Sequence, residues 1–225
     1  MMNDDFLALR KQIIQKDFNK MNLAQAEAVF HVEGPLLVLA GAGSGKTTVI
    51  INRIANLIKY GNAYNSYKID GIPTEKDINL LRSYLNNEGP DLSTIQHLLR
   101  VEAAMPWQIL AITFTNKAAN ELKERLQAML GINADDIWAS TFHAACSKIL
   151  RRHANLIGYK SHYTIYDTDD SKRTMKECQR VLGIDDKMLS HKTILSAISK
   201  AKDMLITPEE YKVNAGNDIK LNKIA

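Results

Sequence analysis

Apolar residues recur at helical spacing over 6–18 (Phe6, Leu9, Ile13, Ile14, Phe18), which predicts an amphipathic helix at the start of the chain. A shorter helix is predicted over Leu23–Val32, broken by Gly34-Pro35. The continuous apolar run Leu36-Leu37-Val38-Leu39 reads as a buried strand, Leu36–Ala40. The period then returns to 3.6, with Val49, Ile50, Ile54, Ala55, Leu57 and Ile58 on one face and Gly61 as the stop. A second strand is predicted over Ile109–Thr113. Asn116 is then expected to cap a helix carrying Ala118, Ala119, Leu122, Leu126 and Met129, closed by Gly131. A third strand, Ile137–Ser140, leads into a helix with Ala145, Cys146, Ile149, Leu150 and Ile157.

Strands thus alternate with helices as far as residue 145, the pattern of an α/β fold with a parallel sheet. Beyond that the pattern is mostly helical. Helices are predicted over 169–182 and 191–205, and another starts at Thr207-Pro208-Glu209-Glu210, a capping box with proline at the first helical position. Residues 62–108 read as a separate helical hairpin inserted on the surface. It has starts at Thr74 and at Ser93-Thr94-Ile95-Gln96, and a small apolar face of Leu80, Leu81, Leu85, Ile95, Leu98, Leu99 and Val101. The expected organisation is one domain over 1–145, interrupted by 62–108, and a second over 146–225.

At 225 residues, 45% hydrophobic and 24% charged, the chain has the composition of a soluble globular protein with a real core. No apolar run is long enough to span a bilayer. Met1-Met2-Asn3-Asp4-Asp5 lacks the basic and apolar regions of a signal peptide, so a cytoplasmic location is expected. Cys146 and Cys178 are the only cysteines and read as reduced core residues; six histidines without ligand spacing give no reason to expect zinc. The net charge of +4 permits a polyanionic partner. Residues 62–108 carry four basic and six acidic residues, whereas 146–225 carry 15 basic and 10 acidic. The C-terminal third is therefore either a nucleic-acid face or a solvated helical surface.

The chemistry concentrates at Ala40-Gly41-Ala42-Gly43-Ser44-Gly45-Lys46-Thr47, between the apolar run and a helix. This is a phosphate-binding loop, with Ala40 in place of the first glycine. Its glycines let backbone N–H groups curl around phosphate oxygens, and the helix N-terminus adds its positive end. Lys46 is expected to reach the β/γ-phosphates of ATP and the Thr47 hydroxyl to hold Mg²⁺, the two residues assigned to catalysis. Ala42, Gly43, Ser44, Gly45 and Thr48 complete the expected nucleotide contacts. Asp135-Asp136 and Asp167 come nearest to a second Mg²⁺ carboxylate, but neither follows a buried strand; they read as a turn and a helix N-terminus.

Thr113-Phe114-Thr115-Asn116-Lys117 also follows a strand and opens a helix, and Thr141-Phe142-His143 repeats the arrangement. Such strand ends are where open α/β sheets bind ligands. Phe114 is either a stacking platform for an unpaired base or an ordinary core phenylalanine.

These stretches together resemble the N-terminal part of a UvrD/PcrA/Rep-type superfamily 1 DNA helicase. Met21-Asn22-Leu23-Ala24-Gln25, Ala40–Thr47, Leu110–Ala119 and Ser140-Thr141-Phe142-His143 fall in that family's order, and Tyr163–Asp167 and Leu205–Pro208 fit its next segments. The resemblance implies a partial RecA-like domain followed by the start of a helical inserted subdomain. It implies ATP-driven movement 3′ to 5′ on single-stranded or 3′-tailed DNA, and possible repair-protein partners. Gln25 is implied to read the adenine, and Phe114, Thr115, Asn116, Lys117, Thr141 and His143 to lie along the DNA. It also implies that an Asp-Glu motif and a second RecA-like domain belong downstream of Ala225, so the chain alone is expected to bind nucleotide without unwinding DNA. Two other readings stand beside this one: a DNA- or partner-binding module with a non-catalytic loop, and a small kinase, against which the missing acidic strand weighs.

Overall fold

The computed structural model describes residues 2–216, 218–222 and 224. Met1, Asn217, Lys223 and Ala225, which fall within the expected domains, lie outside the described residues. The chain divides into two compact units, with the division between His153 and Ala154. The boundary expected at 145 falls within a helix that continues to His153.

The first unit opens with α1 (Met2–Asp17), which buries Phe6, Ile13 and Ile14. α2 (Leu23–Phe30) starts at Asn22, whose side chain accepts from the Gln25 N–H while the Gln25 side chain accepts from the Asn22 N–H. This reciprocal cap satisfies two backbone donors that have no partner within the helix. α3 (Lys46–Lys59) buries Val49, Ile51, Ile54, Ala55 and Ile58, while Ile50, expected on that face, is exposed. Phe18 meets Phe30 and Tyr60 edge-on, with ring centroids 5.7 and 6.0 Å apart.

The strand expected at Leu36–Ala40 does not form. A strand requires a neighbour to take its N–H and C=O groups, and among the described residues the sheet holds only β1 (Leu110–Thr113) and β2 (Trp138–Thr141). Leu37 and Leu39 are 81% and 85% exposed. β1 and β2 pair in parallel, with Leu110 opposite Trp138 and Thr113 opposite Thr141. Residues 62–108, which precede β1, are built into the same core. α4 (Glu75–Leu85) has the reciprocal Thr74–Asp77 cap. The single turn α5 (Leu92–Ile95) starts after Asp91, so the expected Ser93 box is not used. Leu81, Ile95 and Leu99 are fully buried in the same cluster as Ile13 and Ile14. The path back is set at Gly61, where φ is +61° and an added Cβ would lie 2.1 Å from the Val101 carbonyl oxygen. Only glycine permits that approach. Buried Arg10 fastens the following segment by donating to the Lys68 carbonyl at 2.8 Å and to the Ser66 carbonyl.

α6 (Asn116–Leu130) makes the crossover between β1 and β2 and buries Leu122, Leu126 and Leu130. Its cap is Thr115, not Asn116: the Thr115 hydroxyl accepts from the Ala118 N–H. α7 (Phe142–His153) follows β2 directly.

The second unit is helical among its described residues: α8 (Thr168–Leu182), α9 (His191–Asp203), α10 (Pro208–Ala215) and α11 (Ile219–Asn222). Asp167 caps α8 by accepting from Asp169 and Asp170 N–H, and Thr207 and Glu210 cap α10 reciprocally. Cys146 and Cys178 are exposed, not core residues. Each lies on the solvent side of an amphipathic helix that buries Ala145 or Gln179 instead. Among the described residues, no helix is long and apolar enough to cross a membrane.

Candidate functional site

The loop at 40–45 reaches α3 through Gly43 and Gly45, at φ +75° and +85°. Gly45 holds the left-handed conformation as the residue preceding α3, and no side chain caps this helix. The first-turn N–H groups of α3, at Lys46, Thr47 and Thr48, therefore face the loop with no partner inside the helix, next to the positive end of its dipole. The loop is held by its own atoms: the Ser44 hydroxyl donates to the Gly41 carbonyl at 2.8 Å. Lys46 Nζ donates to the Ala40 and Gly41 carbonyls at 3.1 and 2.5 Å. Open space surrounds Gly41 and Gly43, with no atom within 4 Å of an added Cβ. Exposed N–H groups, an ammonium on a flexible stem and open space together suit a polyphosphate.

Gln25 touches this loop. Its Nε2 donates to the Ser44 carbonyl at 3.1 Å while its Oε1 serves the α2 cap at Asn22 N–H. An added Cβ on Gly45 would lie 2.8 Å from that Nε2, and the φ of +85° at Gly45 itself favours glycine there. Arg53, which sequence reasoning missed, fixes α2 on α3: its guanidinium donates to the Ala28 carbonyl at 2.6 Å and to the His31 carbonyl. Burial lowers its pKa from the ordinary arginine value. A cation at the end of a helix was the available signal, but nothing local says which helix an arginine on α3 will reach. Thr47 and Thr48 are exposed on the first turn of α3. For Mg²⁺ the structure offers the Thr47 hydroxyl; no group of three or more His, Cys, Asp or Glu is placed to hold a metal among the described residues.

A second constellation stands at the C-terminal ends of β1 and β2. The parallel register puts Thr113 opposite Thr141, so the next residues along each strand are neighbours. Phe114 is 92% exposed, which excludes the core reading, and Phe142 is 50% exposed. Their ring centroids lie 6.2 Å apart with planes at 34°. The Thr113 hydroxyl donates to the Thr115 carbonyl at 3.1 Å, and the Thr141 hydroxyl accepts from the Ala144 N–H at 3.4 Å. Asn116, Lys117 and His143 are exposed around the rings. Phe142 is not among the residues that sequence reasoning assigns to DNA. Its repetition of the Thr-Phe pattern was the signal, but pairing of the two rings depends on strand register.

Comparison with known proteins gives this geometry a family. The family model described as the UvrD/REP helicase N-terminal domain matches residues 21–69 and 92–224. Residues 70–91, which contain α4, lie outside the match. The chain is 40% identical over 196 residues to the ATP-dependent DNA helicase PcrA of Bacillus subtilis, covering 87% of this chain and 21% of that protein. The PcrA helicases of Leuconostoc citreum and Staphylococcus aureus are 40% and 39% identical, each over 88% of this chain and 21% of their own length. The chain thus spans about a fifth of the length of these relatives. With both stretches together matching well over half of its residues, the chain belongs to the UvrD/REP helicase N-terminal domain family.

Proposed function

We propose that the chain is the nucleotide-holding and strand-contacting part of an ATP-driven DNA helicase that moves 3′ to 5′ on single-stranded DNA. The observation that carries this reading is the set of contacts at the loop. Lys46 and Gln25 both touch the carbonyls of a glycine loop that opens a helix, and the helix N-terminus is uncapped. In this reading residues 1–145 form a partial RecA-like domain, and 146–225 begin a helical subdomain. The chain's relatives include the PcrA helicases, whose names state ATP dependence and DNA.

Bound ATP would supply the phosphoanhydride whose hydrolysis drives the motor, with Mg²⁺ shielding its charge. The chain's own residues bind and orient. Lys46 neutralises the β/γ-phosphates, the N–H groups of 43–48 ring them, the Thr47 hydroxyl faces the metal and Gln25 stands on the base side. Phe114 and Phe142 give consecutive bases a stacking surface. Thr115, Asn116, Lys117, Thr141 and His143 serve the backbone beside it. The chain by itself holds nucleotide without unwinding DNA.

Calorimetric titration of Mg·ADP into this chain and into Lys46→Ala tests the reading. Binding by the first and its loss in the second are expected. Binding of single-stranded DNA without any binding of Mg·ADP would favour a DNA-binding module in which the loop is structural only.

A further inference from the structure

β2 pairs with β1 on one side, and among the described residues no strand lies on its other side. The Trp138 N–H donates to the Ile109 carbonyl at 2.9 Å, so by the alternation of a parallel pair Ala139 addresses the outer side. The Ala139 N–H turns back on the Ile137 carbonyl at 2.9 Å, and the Ala139 carbonyl faces outward. That side opens into a cavity of about 400 Å³, lined by Ala139 and Ser140 of the strand, Lys123 and Gln127 of α6, Lys148 of α7, and Asp135. At the start of the strand the Trp138 ring is covered by two cations, Lys148 Nζ at 4.4 Å and the Arg152 guanidinium at 5.8 Å from its centre. This groove begins at the opposite end of β2 from the Phe114–Phe142 pair.

We propose that the groove along the outer edge of β2 docks an acidic, extended segment of a partner protein. A sheet edge is a template for an added strand, and the charges beside it select what is added. Lysines stand on both walls, from α6 and from α7, and Arg152 extends the positive charge past the tryptophan. The complement is an extended peptide alternating carboxylates with small apolar residues. A DNA strand fits less well: the Trp138 face that would stack a base is already covered by cations, and Asp135 lines the cavity.

The test is fluorescence anisotropy with three labelled probes: a decapeptide alternating Asp and Val, the same peptide with Lys for Asp, and an oligothymidylate. The proteins are the full chain and its Lys123→Glu/Lys148→Glu variant. Lys123 and Lys148 are both exposed, so the variant is expected to keep its far-UV spectrum; Lys123→Gln/Lys148→Gln is the milder version if it does not. The Asp–Val peptide is expected to bind, to weaken with salt, and to lose about tenfold or more in affinity in the variant. The Lys–Val peptide is expected not to bind. No binding of the Asp–Val peptide, equal binding of the Lys–Val peptide, or equal affinity in the variant overturns the proposal. So does a loss confined to the oligothymidylate, which would make the groove a nucleic-acid surface.

Discussion

The Phe114 and Phe142 rings stand 6.2 Å apart, tilted by 34°, each on the residue after a paired threonine at the end of a parallel strand. Two large aromatic faces in solvent are costly unless a ligand covers them. Stacking a base on an aromatic side chain contributes about 1–3 kcal/mol. Phe114→Ala and Phe142→Ala are each expected to weaken oligothymidylate binding by that order at fixed salt, while Mg·ADP binding is retained. Undiminished DNA affinity in the double variant would remove both rings from the strand's path.

Gln25 joins the α2 cap to the phosphate loop through one carboxamide, with Oε1 on Asn22 N–H and Nε2 on Ser44 O. Gln25→Ala breaks both contacts. Its cap component is the loss of the bond from the Asn22 N–H alone, since the Asn22 side chain keeps its bond from the residue 25 N–H. Its functional component is expected in base selection. The native chain should prefer Mg·ADP over Mg·GDP, and the variant should lose that preference with little change in phosphate affinity. Calorimetric titration of both nucleotides into both proteins measures it. An unchanged ratio would leave Gln25 as a structural cap.

Leu81 is fully buried on α4, in the stretch that the family match leaves out. Leu81→Ala is expected to cost about 2–5 kcal/mol, as for a core leucine. Urea denaturation followed by circular dichroism reads the midpoint shift. A loss under about 0.5 kcal/mol would place α4 outside the cooperative core.

Asp167 accepts N–H bonds from Asp170 and Asp169, which hold its carboxyl below the ordinary carboxylate range. The folded pKa is depressed, so the stabilisation is complete above the ordinary value of about 4 and is lost as pH falls through the lowered one. Asparagine caps without a charge. Asp167→Asn is therefore expected to lose helicity less steeply than the native chain as pH falls from about 4 to about 2. Parallel far-UV titrations compare them, and identical slopes would show that this cap does not titrate with folding.

Local signals were legible wherever one residue's chemistry determines them. The periodicity of α3 and α6 and the helix starts at Thr74, Asp167 and Thr207 depend on residues within four positions of one another, although the caps expected at Ser93 and Asn116 fall at Asp91 and Thr115. The glycine loop and Gln25 were readable as separate stretches, but the Gln25–Ser44 contact joining them was not. The largest failures are non-local. Leu36–Leu39 has the composition of a buried strand, but pairing needs a partner from elsewhere in the chain. The polar, acidic balance of 62–108 suggested a surface insertion, yet Leu81, Ile95 and Leu99 suffice to bury it against α1. The exposure of Cys146 and Cys178 depends on which helix face finds a partner, and periodicity alone does not choose it.

The stretch from Leu36 to Ala40 enters the phosphate loop without ladder bonds to any described strand. The loop's approach is tethered through α3 on one side and by Gly34-Pro35 and α2 on the other. If nucleotide binds here as proposed, its apparent affinity would fall by whatever fraction of the time the loop spends outside the competent arrangement. Any strand that docked against Leu36–Ala40 would narrow that set, so it would tighten nucleotide binding at a distance without touching the phosphates. By linkage, nucleotide would tighten the docking of that strand to the same degree.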